Sequence, residues 1–206
     1  MPLTFPPLLL GAGGRSRRMG QPKHRLEVGG RSLLAWQLER FQAAGGTRAV
    51  VVLPEGDSPT PRETGIAGLD LAWIAQPDPD APMADSLRRA ALRVLDLEVP
   101  AAWWLPVDTP APAAEGWADQ LSGLLPGIAA VVPAGGGHPV LLTRSILEMV
   151  AVSGPELRLD HVLAGQAARG RVAQVPARDN ERRLNLNTPE AWEAWLASQG
   201  NPQERK

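Results

Sequence analysis

The chain has 206 residues, a formal net charge of −1 and a sequence pI near 6.3. That length suits one α/β domain with a sizeable core, and the near-neutral balance provides no broad basic field for a nucleic-acid partner. The lack of cysteine excludes disulfides and thiolate metal sites and fits a reducing compartment. The apolar run in MPLTFPPLLL is far too short to span a bilayer, so a cytoplasmic chain with no membrane partner is expected.

Leu8 to Leu10 reads as a buried strand that turns at once into a glycine-rich loop, GAGGRSRRMGQPK, carrying Arg15, Arg17, Arg18 and Lys23. Glycine permits the backbone angles by which N–H groups close around phosphate oxygens, and cations neutralise the charge there. The stretch is therefore a candidate polyphosphate cradle. It is no Walker A loop, because Gln21 and Pro22 follow Gly20 and no hydroxyl follows Lys23 to hold magnesium. A dinucleotide fingerprint fails too, with Ser16 where the third glycine belongs.

Arg25 to Gly30 is a short extended piece and turn, and a helix is expected from Ser32 to Ala44, capped by Ser32 with Leu33, Leu34, Leu38 and Phe41 on one face. Thr47 to Leu53 is a second buried strand, and the abrupt helix-to-strand change marks a βαβ crossover and a parallel sheet. After a Pro-rich loop with a short helix (54–68), a strand over Leu69–Ala75 leads to QPDPDAP, whose prolines forbid helix. A helix follows over Met83–Asp96 with Ser86 in its first turn, then a buried strand over Ala101–Val107 that ends at Asp108. In open α/β sheets functional groups gather at the carboxyl ends of strands, so Asp108 is the chain's best candidate metal ligand. Helices over Ala113–Leu125, Arg144–Val152 and Glu156–Gly165, strands over Ile128–Val132 and Val172–Val175, and a glycine turn and strand over Gly135–Leu142 complete the middle. The loop Leu184–Pro189 opens a final helix through Leu196, and the seven tryptophans lie mainly in apolar segments, where packing is their expected role.

Over AGGRSRRMGQPK the loop resembles the signature L-x-[AG]-G-x-S-x-R-M-G-x-x-K of the molybdenum cofactor nucleotidyltransferase family, which attaches CMP or GMP to molybdopterin. Gly14, Ser16, Arg18, Met19, Gly20 and Lys23 fall at the family's spacing; Gly11 departs from it, standing where an apolar residue is usual. The resemblance extends from about Leu8 to Leu196. It implies a single-domain (1–206), three-layer, Rossmann-like α/β nucleotidyltransferase fold with a mostly parallel sheet, a core over about 8–196 and a frayed tail over 201–206. It also implies an NTP cradle of Ala12, Gly13, Gly14, Ser16, Arg18, Gly20 and Lys23, joined by Ser86, whose PMADSL is similar to the family's G-M-x-x-S-L. Asp108-Thr109-Pro110 resembles the D-x-P whose Asp holds Mg²⁺, and LNLNTP resembles [DN]-[IV]-[DN]-T-P-E, implying Asn187 as a second metal contact and Asn185 near the acceptor. GHPVLL, similar to the cytidylyltransferase branch, places His138 beside the acceptor pocket, whereas LRLDHVL departs from the usual D-x-G-A-R-x-L-L. A plainer role stands beside each: a cap for Ser86 or Asp108, a structural histidine for His138, Asx turns for Asn185 and Asn187.

The implied reaction is Mg²⁺-dependent nucleotidyl transfer, in which a phosphate oxygen of the acceptor attacks the α-phosphorus of CTP or GTP and pyrophosphate leaves. A phosphomonoester ionises with a second pKa near ~6, so positioning and charge neutralisation by Arg18, Lys23 and Asp108 suffice without a strong base. The expected acceptor is molybdopterin, with transient contact to a molybdoenzyme or its chaperone. Two alternatives remain: a sugar 1-phosphate or other small phosphomonoester as acceptor, and a non-catalytic nucleotide-binding regulator. On the base the motifs divide. Gly13 resembles the GTP-using branch, while QPK, PMADSL and GHPVLL resemble the CTP-using one and tip the balance to CTP; a Gly13→Ala methyl beside the base is expected to favour CTP further.

Overall fold

Near-continuous apolar runs such as LLL, AVVVL and AAWWL are what strands buried on both faces require, and they form the centre of the sheet. The computed structural model describes residues 5–16, 19–154, 156–177 and 184–199. Among these residues β1 (Leu8–Gly11), β4 (Arg48–Pro54), β5 (Asp70–Gln76), β6 (Ala101–Pro106), β7 (Ala130–Pro133), β8 (Val140–Thr143) and β9 (Val172–Val175) build one sheet, ordered β5-β4-β1-β6-β8-β7-β9. A hairpin of β2 (Glu27–Val28) and β3 (Arg31–Ser32) turns through Gly29 and Gly30, both at positive φ, as a two-residue hairpin loop demands. The pairs β1–β4, β1–β6, β4–β5 and β7–β9 are parallel, and only β8 runs against its neighbours β6 and β7. Six carboxyl ends and the amino end of β8 therefore share one edge of the sheet.

Alternation along the strands divides the core in two. Leu8, Leu10, Val51, Trp103 and Leu105 face α1 (Leu33–Ala43), α4 (Ala114–Ser122) and α7 (Pro189–Gln199). Leu9, Val50, Val52, Ala102 and Trp104 face α3 (Met83–Leu95), α5 (Arg144–Val152) and α6 (Leu159–Ala167). The result is the three-layer, mostly parallel α/β architecture that the sequence implies. Ser32 caps α1 as expected, its Oγ accepting the Ala35 N–H at 3.1 Å, and the short α2 (Pro61–Thr64) begins with a capping box from Thr60 and Glu63. No helix among the described residues is long and apolar enough to cross a membrane.

The differences from expectation are local. Gly123 caps α4 at Ser122, short of Leu125, and β7 starts at Ala130, two residues later than the apolar run suggests. The helix expected over Glu156–Gly165 runs Leu159–Ala167, because Arg158 remains extended and Leu157 turns back to the Gly154 carbonyl. Gly11, the departure from the family signature, has a structural partner: a Cβ there would fall within the Trp104 indole. The space at the strand end is thus filled by an aromatic ring from β6. The expected tail, 201–206, lies outside the described residues.

Candidate active site

The loop after β1 leaves the sheet at its carboxyl edge and curls back. Ala12 N–H bonds the Val52 carbonyl at 2.9 Å, and Ser16 holds a left-handed φ of 51° that is rare for a residue with a side chain. The turn is kept by local bonds: Met19 N–H reaches the Ser16 carbonyl at 2.9 Å, and Ser16 Oγ accepts the Lys23 N–H at 3.0 Å. Gly20, at φ 68°, supplies the bend that returns the chain toward Lys23. Arg15 fastens the loop to the Pro-rich segment before α3, with its N–H on the Pro79 carbonyl and its guanidinium 3.5 Å from Asp80.

A cleft of about 140 Å³ opens at this point, lined by Gly11, Ala12, Gly13, Gly14, Ser16, Lys23, Ser86, Asp108 and their neighbours. Of the residues assigned to the nucleotide from sequence, Ala12, Gly13, Gly14, Ser16, Lys23 and Ser86 line this cleft; Gly20 shapes the loop behind it, and Arg18 lies outside the described residues. Asp108 is held by its backbone. Val107 N–H reaches the Gly11 carbonyl at 2.9 Å, Gln37 donates to the Val107 carbonyl at 2.8 Å, and Leu186 N–H bonds the Asp108 carbonyl at 2.8 Å. That last bond draws the loop before α7 to the end of β6 and brings Asn187 beside Asp108. Lys23 Nζ lies 3.2 Å from Asp108 Oδ2 and also hydrogen-bonds Asn187 Oδ1. Asp108 and Asn187 offer hard oxygen donors directed at one cationic point, a set that suits Mg²⁺, which takes one or two protein oxygens and completes its shell with phosphate and water. Asn185 is exposed, and its backbone carbonyl accepts the Asn187 N–H at 2.8 Å.

Met83 belongs to the cleft and also to a larger cavity of about 740 Å³ on the α6 side. Its walls include Leu87, Trp104, Val140, Leu159 and Leu163, with His138 among the few polar groups. Burial pulls the His138 imidazole below the ordinary histidine value, a hydrogen bond with the Trp104 backbone and the nearby Asp108 charge offsetting only part of it. The ring is consequently neutral near pH 7. The α6 segment that departs from the family pattern is thus a wall of this cavity.

Three features of the site have no signal in the sequence. Gln76, at the end of β5, packs behind Gly13, so that a Cβ on Gly13 would stand 2.8 Å from Gln76 Cβ and 3.0 Å from Ser86 Oγ. The extra methyl considered from sequence would therefore meet protein. Burial would raise the Asp85 carboxyl, but hydrogen bonds from Arg89, Arg88 and Gln76 bring it below the ordinary carboxylate value, which ties Gln76 to the first turn of α3. Next to Lys23, His24 is buried with Nε2 2.6 Å from Asp57 Oδ2, and Asp57 also takes Arg25 at 2.5 Å.

Comparison with known proteins places this geometry among relatives. A molybdenum cofactor guanylyltransferase of Cereibacter sphaeroides is 34% identical over 191 residues, covering 88% of this chain and 91% of that protein. One of Rhizobium meliloti is 38% identical over 112 residues, 52% of this chain and 47% of the relative. Among solved structures, Rv0371c of Mycobacterium tuberculosis H37Rv superposes with a TM-score of 0.75 at 22% identity, over 93% of this chain and 98% of that one; it is also known as a complex with manganese. Residues 8–180 match the MobA-like NTP transferase domain, a span that holds the cradle, Asp108 and all but the last helix, and the chain belongs to that family.

Proposed function

We propose that this protein transfers a nucleoside monophosphate from an NTP to a phosphorylated acceptor, with molybdopterin as the acceptor, a divalent cation as cofactor and pyrophosphate as the second product. The observation that carries this is the convergence of Lys23, Asp108 and Asn187, from three distant parts of the chain, on the lip of the glycine cradle. An oxygen of the acceptor phosphate forms the new bond to the α-phosphorus, and the bond from that phosphorus to the β-phosphate oxygen breaks. Asp108 and Asn187 would hold Mg²⁺, which when bound neutralises phosphate charge. The N–H groups of Gly13 and Gly14 and the ammonium of Lys23, with Arg18, orient the triphosphate. His138 and Asn185 are assigned to the acceptor side.

GHPVLL, similar to the branch that uses molybdopterin, favours that acceptor over a sugar 1-phosphate. Guanylyltransferase is the name carried by the curated relatives, and it favours GTP over the CTP suggested by the count of motifs. The finished cofactor would pass in the cytoplasm to a molybdoenzyme or its chaperone.

Pyrophosphate release across a nucleotide panel, with and without molybdopterin, tests the proposal. Release is expected with GTP, only when molybdopterin and Mg²⁺ are present, and Asp108→Asn should lower it on the order of 100-fold while leaving the circular dichroism unchanged. Release with a sugar 1-phosphate and none with molybdopterin would replace the acceptor, and preference for CTP would replace the donor. Nucleotide binding without release toward any acceptor would favour the regulator.

A further inference from the structure

The two oxygens assigned to the metal already face a cation. Lys23 Nζ sits 3.2 Å from Asp108 Oδ2 and bonds Asn187 Oδ1, and the two charged side chains are only 11% and 16% exposed. A divalent ion on the same oxygens would lie about 2 to 2.5 Å from each, which leaves no space for the ammonium and sets two positive charges in contact. Lys23 has somewhere else to go. Its backbone N–H is fixed by Ser16 Oγ at 3.0 Å, so the turn stays with the cradle while a flexible four-carbon stem redirects the charge. The same cleft is lined by Gly13, Gly14 and Ser16, where phosphate oxygens would offer an alternative partner.

We propose that Lys23 is the resident cation of the metal position: it keeps a divalent ion out of the free enzyme and vacates the position when nucleotide phosphates draw its ammonium into the cradle. The inference rests on the assignment of the cleft to an NTP and of Asp108 and Asn187 to a metal. Its consequence is positive linkage, in which nucleotide raises metal affinity and metal raises nucleotide affinity by the same factor.

Titration of the full chain with Mn²⁺, read from the electron paramagnetic resonance of the free ion and corrected for the Mn²⁺ that nucleotide binds in protein-free blanks, tests this without turnover. The parent should bind Mn²⁺ about 10-fold more tightly with GTP or CTP present than alone. Lys23→Met and Lys23→Gln should bind Mn²⁺ alone about 10-fold more tightly than the parent, while Lys23→Arg stays at the parent value because it keeps the charge. Arg93→Met, which removes an exposed charge paired with Asp96 at the far end of α3, should leave Mn²⁺ affinity unchanged. Folded neutral variants with the parent's Mn²⁺ affinity would overturn the role of Lys23, as would a parent whose Mn²⁺ affinity ignores nucleotide. A parent that binds no Mn²⁺ even with nucleotide would overturn the metal assignment itself and this inference with it.

Discussion

Gly13 has no room for a side chain, and the obstruction lies behind the cradle. The Cβ and Cγ of Gln76 stand 2.8 and 3.0 Å from where a Gly13 Cβ would be, with Ser86 Oγ at 3.0 Å, and a Cβ cannot be pushed aside like the tip of a flexible chain. Gly13→Ala should therefore force apart the end of β5 and the start of α3, at about 1 to 3 kcal/mol. Binding of CTP and GTP should weaken together. Thermal unfolding and competition binding check this: a lower Tm with an unchanged CTP to GTP ratio is expected, and an unchanged Tm with a shift toward CTP would put the methyl beside the base after all. The neighbouring Gly11 has the same kind of constraint from Trp104, so the two glycines bracket Ala12 for steric reasons as much as for phosphate binding.

At the level of elements, the turn carrying Lys23 is held by the loop after β4. His24 is buried, with Asp57 on its Nε2, and Arg25 bridges Asp57 to the buried Glu63 at 3.6 Å. Burial lowers the His24 pKa below 6.5, and the attraction of Asp57 and Glu63 fails to restore it against burial and the repulsion of Arg25. The unfolded chain then binds the proton more readily, so this contribution to stability is complete above pH 6.5 and is lost as pH falls from there through the folded-state value. His24→Gln should flatten the decline in urea midpoint between about pH 8 and 5; a slope equal to the parent's would show that His24 does not carry it. His138, also lowered, acts in the same direction, and its part remains in the variant.

Much at this scale was legible. β1, β4, the Ser32 cap and the helix over Arg144–Val152 follow from short-range periodicity, and the cradle loop follows from glycine spacing with its cations. The His24–Asp57 pair was not, because it joins residues 33 apart through loops with no periodic signal. The contact of Lys23 with Asn187 spans 164 residues and depends on the Leu186–Asp108 bond, which no spacing reveals. The late start of α6 escaped for a nearer reason: the apolar pattern of LRLDHVL begins at Leu157, before the backbone turns helical.

For the whole molecule, strand order was the hidden quantity. Alternating strands and helices predict parallel pairing, yet β8 enters antiparallel between β6 and β7, and that reversal delivers His138 to the same edge as Asp108. The edge is continuous from the cradle to the large cavity, so donor and acceptor sides of the proposed reaction meet at Met83.

The division of the core into two faces also sorts the tryptophans. Trp36, Trp103, Trp117, Trp192 and Trp195, with Trp73 packed against them, belong to the α1, α4 and α7 side; Trp104 alone belongs to the other and lines the 740 Å³ cavity. The molecule thus contains a single indole that reports optically on that cavity. Filling the cavity should shift a minor component of the intrinsic emission, and the difference spectrum should vanish in Trp104→Phe while the other six indoles continue to emit. A ligand-induced change that survives in Trp104→Phe would mean that the light comes from elsewhere.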